Sequence, residues 1–118
     1  MEVKYYDKEE ISSGTSLQGY VAAEFVDLYD VFGRPNRTDS SPHEKVNCEW
    51  TFRIHTEEDE YIDATVYNWK TGTIPYNKYE WHIGGRSYRA AELIQEILDR
   101  RLKPANVFKT ETYRSSNW

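Results

Sequence analysis

The chain lacks most of what small proteins use for covalent or metal chemistry. Cys48 is the single cysteine among 118 residues, which excludes an internal disulfide and a cysteine-rich zinc site. The three histidines, His43, His55 and His82, have no second histidine or cysteine at i+2 to i+4, so the spacing of a zinc site is missing. Serine- and cysteine-based nucleophile motifs are absent, and paired carboxylates, though abundant, stand in no context that would raise a pKa recognisably. No enzymatic activity, cofactor or metal is expected. There is no basic leader with an apolar core and no apolar run of about 18 residues. A cytoplasmic location without membrane contact is therefore the expectation.

Charge is unevenly distributed. The formal net charge is −5. Residues 1–85 hold 8 Lys/Arg against 16 Asp/Glu, a net of −8, and residues 86–118 hold 7 against 4, a net of +3. An acidic body opposes general nucleic-acid binding, which needs a phosphate-neutralising face. The acidic run Glu57-Glu58-Asp59-Glu60 reads as a solvated hairpin tip.

What the chain has in quantity is rings. Ten Tyr, four Trp and four Phe bring the aromatic share to 15%, against 38% hydrophobic residues in all. Each large ring buries ~150–250 Å², so a few replace many aliphatics in a small core. Tyr, Trp and Arg also dominate binding hot spots. The length suits a single domain, residues 1–118.

Apolar spacing divides the chain into elements. Met1 to Lys8 suits a short edge strand or an arm, Ser12 to Ser16 a loop, and Leu17 to Ala22 a brief strand. From Ala23 to Phe32, Phe25, Leu28, Tyr29 and Phe32 fall at i, i+3, i+4 and i+7, which is a helical stripe. Gly33 and Pro35 end it, and Asn36 to Pro42 reads as a loop. Lys45 to His55 alternates strictly: Val46, Cys48, Trp50, Phe52 and Ile54 share one face. Cys48 is then a buried small hydrophobe and not a nucleophile.

Tyr61 to Lys70 reads as the next strand, with Ile62, Ala64 and Val66 inward. Tyr61, Asp63, Thr65, Tyr67 and Trp69 face outward, a mixture that suits either a binding face or a surface covered by the C-terminal arm. Tyr79 to Ile83 places Tyr79, Trp81 and Ile83 on one face and Glu80 and His82 on the other, and Gly84-Gly85 ends the strand. Ser87 caps a second helix running to about Leu102, with Ala90, Leu93, Ile94, Ile97 and Leu98 as its stripe. Pro104 stops it, leaving residues 103–118 as an arm or extra strand. The expected fold is α+β, an antiparallel meander of three to five strands packed by two helices.

Two groups of residues are candidates for function. Tyr67 and Trp69, with Lys70 beside them, form the outward ring-bearing face. His82 could act as a general base oriented by Glu80, but a structural histidine bonding a carbonyl is the simpler reading. Gly84, Gly85 and Arg86 before a helix could hold an anion, with Trp69 and Trp81 as stacking rings and Lys70 and Arg86 as cations. They lack the spacing of a phosphate-binding loop, and paired glycines there usually make only the turn.

Four segments together resemble small proteins of tailed phages: Phe32-Gly33-Arg34-Pro35, Lys45-Val46 to Glu49-Trp50, Ala64 to Lys70, and Trp81 to Gly85. The resemblance spans residues 17–100. It implies a phage accessory product in the host cytoplasm and supplies no site. The order of elements is also similar to the BamE-like and β-lactamase-inhibitor folds, an architectural likeness without functional content. A phage setting implies a stoichiometric inhibitor of a host protein, such as part of an antiviral defence system. The alternative is a protein that sequesters a nucleotide-like signalling ligand. A homodimer through an edge strand or the aromatic face is open as well.

Overall fold

In a computed structural model, which describes residues 2–5 and 14–110, the centre of the fold is an antiparallel meander. It comprises β4 (Cys48–His55), β5 (Tyr61–Tyr67) and β6 (Tyr79–Gly85). β1 (Glu2–Tyr5) pairs with the outer edge of β4, and β2 (Ser16–Ala23) runs along β6. The sheet order is β1-β4-β5-β6-β2, and the two-residue β3 (Arg37–Thr38) adds a short pairing to β4. Helices α1 (Phe25–Phe32) and α2 (Arg89–Thr110) complete the α+β architecture.

Both helices pack on the same face of the sheet. Period-two alternation sends Cys48, Trp50, Phe52 and Ile54 of β4 to that side, all fully buried. Phe25 and Phe32 of α1 meet them through Phe25–Trp50 at 5.8 Å and Phe32–Phe52 at 4.7 Å between ring centroids. α2 buries Ala90, Leu93, Ile94, Ile97 and Leu98 against the same layer. Trp50 and Trp81 cross edge to face at 5.6 Å in the middle. A buried indole needs an acceptor. Trp50 Nε1 donates to Gly33 O at 2.8 Å, and Trp81 Nε1 to Ala23 O at 3.1 Å.

Several boundaries differ from those read in the sequence, each for a local reason. Ala23 ends β2 and does not begin the helix, because it pairs with Tyr79 while its carbonyl accepts the Trp81 indole. α1 ends where expected: Gly33 adopts φ 83° and donates to Tyr29 O at 2.8 Å. β4 starts at Cys48 and β5 stops at Tyr67, since the Asn68 side chain takes the amides of Asn47 and Cys48 and the Asn47 carbonyl accepts from Asp39 N. Gly84 and Gly85 do not end β6; they are its last two residues, paired with both β5 and β2.

Those glycines are packing positions. A Cβ on Gly84 would stand 2.6 Å from Thr65 Oγ1, and one on Gly85 would stand 2.5 Å from Ala90 Cβ, where α2 crosses the strand. Pro104 does not stop α2, which continues to Thr110. A proline forfeits its own amide bond, yet its neighbours can still carry the ladder. Residues 103–110 are therefore helical and not an extra strand. Residues 111–118, the rest of the expected arm, lie outside the described residues.

Candidate functional site

The face opposite the helices holds one row of cross-strand neighbours: Glu49 on β4, Tyr67 on β5, His82 on β6 and Tyr20 on β2. The rings touch in sequence. Tyr20 meets His82 edge-on at 4.9 Å, and Tyr67 lies 5.4 Å from His82. Trp69 joins from the loop after β5, 6.3 Å from both Tyr67 and His82. Trp69 remains 40% exposed and Tyr20 50% exposed. The two described helices pack on the other side of the sheet.

Gly84 lies beneath the row. On this face the Tyr67 ring passes over the glycine, with Tyr67 Cε1 3.4 Å from where a Cβ would sit. Two cations stand at the margin, Lys70 Nζ at 5.7 Å and Lys45 Nζ at 6.0 Å from the Trp69 ring centroid. Such contacts contribute about 0.5–1 kcal/mol each at exposed sites.

The loop bearing Trp69 is held from beneath by two buried asparagines. Asn68 Oδ1 accepts from the backbone amides of Asn47 and Cys48 at 2.8 and 2.9 Å. Asn68 Nδ2 donates to Thr71 Oγ1 at 2.6 Å and to Asn47 Oδ1 at 3.1 Å. Asn47 Nδ2 in turn donates to the carbonyls of Asp39 and Ser41 at 2.8 and 2.9 Å. On either side of the indole, Trp69 N donates to the Tyr79 hydroxyl at 3.1 Å and Lys70 N to Lys45 O at 2.7 Å. Lys70 sits at φ 57°, left-handed backbone uncommon outside glycine. A half-exposed ring thus rides on a fixed backbone.

The centre of the row is uncharged at neutral pH. Burial lowers the pKa of His82, opposed by the Glu80 carboxylate, and the buried His82 Nδ1 has no hydrogen-bond partner among the described residues. Among the described residues no carboxylate bonds Nδ1, the ring atom that Glu80 would have to orient if His82 were a base. Burial also raises the Tyr67 phenol, with Glu49 adding to the shift. Away from this face, burial pushes the Cys48 thiol up to about 12, which keeps it protonated and unreactive.

Of the residues singled out in the sequence, Tyr67, Trp69, Lys70 and His82 converge here, and Gly84 lies under them. The others do not join. Trp81 is in the core and cannot stack on a ligand. Gly85 faces α2, and the pairing of both glycines on two sides leaves no amide cradle for an anion. Arg86 reaches the Asp63 carboxylate, which Arg53 Nε also binds at 2.6 Å. At the first turn of α2, Ala90 N and Ala91 N bond to the carbonyls of Ser87 and Tyr88. The expected nucleotide site is therefore dispersed over both faces and one end of the sheet.

Sequence reasoning missed Tyr20, Asn47 and Asn68. The alternation of β2 shifts phase at the irregularity between Leu17 and Gly19, which hides the outward position of Tyr20. Among the described residues no group of three or more His, Cys, Asp or Glu could hold a metal ion, and no helix is long and apolar enough to cross a membrane. Two shallow concavities flank the sheet. One of about 550 Å³ lies by Phe25, Tyr29, Arg34 and Tyr76, and one of about 460 Å³ lies between β2 and α2. No family model matches the chain, and neither the curated proteins nor the solved structures give a match to it.

Proposed function

We propose that the chain is a stoichiometric binder that grips another protein with Trp69, Tyr67 and Tyr20. The observation that carries the reading is the half-exposed Trp69 on a backbone fixed by Asn68, Tyr79 and Lys45. Binding immobilises side chains at a cost of roughly 0.5–1.5 kcal/mol each, and a pre-set ring avoids much of it. An aromatic anchor with cations at its rim is the composition of a binding hot spot. A nucleotide-sequestering role has less support, because Trp81, Gly85 and Arg86 are engaged elsewhere. The resemblance to tailed-phage proteins makes a host protein the expected partner, and inhibition the expected consequence of binding.

The test is capture from host lysate with the tagged chain and with Trp69→Ala in parallel. We expect a protein retained by the unaltered chain and lost with the variant, which still unfolds cooperatively with a melting temperature lower by only about 4–8 °C. Equal retention by both, or none by either, would reject the reading.

A further inference from the structure

The cations beside Trp69 narrow what the grip can hold. We infer that the partner protein meets Trp69 with an acidic segment, an apolar side chain flanked by carboxylates of Asp or Glu. This rests on the gripping-face reading and supplies the chemistry of what the face takes.

Several cations of the chain have a carboxylate of their own. Arg37 pairs with Glu49 at 3.6 Å, Arg53 and Arg86 share Asp63, Arg89 meets Glu60 at 3.0 Å, and Arg100 meets Glu96 at 2.8 Å. Lys45 and Lys70 differ. Both are exposed, and among the described residues neither ammonium has a carboxylate within 4 Å, although Glu44 adjoins Lys45 in the chain and Glu80 shares the ring-bearing face. What both ammoniums meet is the Trp69 indole, at 6.0 and 5.7 Å from its centroid. The backbone sets the two stems side by side, because Lys70 N donates to Lys45 O at 2.7 Å. Two like charges are thus gathered at one exposed ring.

A partner that buries Trp69 takes water from these ammoniums as well. Burying a charge without a counter-charge is costly, and a charge-assisted hydrogen bond to a carboxylate offsets that cost. A neutral or basic partner surface leaves both ammoniums unmatched; an acidic one matches them. Beside the lysines the row of Tyr67, His82 and Tyr20 offers rings and no cation, since burial keeps His82 neutral at neutral pH. Glu80, two residues before His82, disfavours a carboxylate over that row. The apolar part of the segment therefore belongs on the rings and its acids on the lysine side.

The chain carries an acidic segment of its own, Glu57 to Glu60 followed by Tyr61, but its groups are engaged. His55 meets Asp59 at 2.7 Å and stacks on Tyr61 at 4.4 Å, and Arg89 holds Glu60. A second copy is therefore the poorer occupant.

The probe is a random displayed-peptide library selected against the full chain. We expect enriched peptides in which Asp or Glu flanks an aromatic or large aliphatic residue. A synthetic copy of one should bind at least about tenfold more weakly to Lys45→Gln with Lys70→Gln, and more weakly still to Lys45→Glu with Lys70→Glu. Lys45→Arg with Lys70→Arg should retain it, added salt should weaken it, and Trp69→Ala should abolish it. Peptides without acidic residues, or a peptide lost with Trp69→Ala yet indifferent to the lysine charge, overturn the inference and leave the gripping face standing. Binding that survives Trp69→Ala places the segment elsewhere and overturns it too. Enrichment of nothing also overturns it, and lysate capture with Trp69→Ala then decides the face separately. An oligomer of the full chain that Lys45→Gln with Lys70→Gln dissolves makes a second copy the occupant, which overturns it as well.

Discussion

The two faces of one sheet use aromatic residues in opposite ways. On the helix side, Trp50 and Trp81 are fully buried and their indole N–H groups are satisfied by Gly33 O and Ala23 O. On the other side, Trp69 and Tyr20 stay half-exposed around His82. Strand alternation sorts the rings, and what differs is what lies above them. A ring sealed by helices stabilises the fold; a ring fixed from below and open above leaves its area for another molecule.

The contrast can be broken at either face. The largest effect should come from the core: Trp50→Ala should cost about 3–5 kcal/mol, read from the urea midpoint. Asn68→Ala comes next. It strands the buried amides of Asn47 and Cys48, and at ~1–3 kcal/mol for each such group we expect a loss of at least about 2 kcal/mol. Gly84→Ala should cost about 1–3 kcal/mol through its clash with Thr65 Oγ1. Thr65→Ala in the same chain should recover part of that, as a double-mutant cycle would show.

Trp69→Ala should shift stability by only about 1 kcal/mol, the scale of the ring and cation contacts it removes, while abolishing capture. That separation of stability from binding is what distinguishes the faces.

The smallest effect is pH. The depressed pKa of His82 means that the unfolded chain, with the ordinary value near 6.5, takes up the proton first. Stability from this group is full above that value and falls as the pH drops below it. Thermal melts from pH 7.5 to 5 should show this decline, and His82→Asn should flatten it.

Much of the fold was legible because alternation and helical stripes report burial directly. Cys48 to Ile54 and Ala90 to Leu98 take the faces that their spacing implies. The same alternation sets Trp81 beside Tyr79 and Ile83, and burial makes theirs the inward face, which removes Trp81 as a stacking ring. Gly84 and Gly85 look like a turn in sequence, because nothing local reveals that Thr65 and Ala90 press on them from opposite faces. The Asn47–Asn68 pair joins residues 21 positions apart and has no periodic signature. The rigidity of Trp69 was therefore invisible even though its outward direction was not.

Oxidative footprinting of the complex with the captured protein tests most directly whether the open face is the gripping surface. Trp69 and Tyr20 should lose their reactivity towards hydroxyl radicals, while Tyr76, 61% exposed beside α1, keeps it. Protection of Tyr76 with Trp69 still reactive would contradict the account.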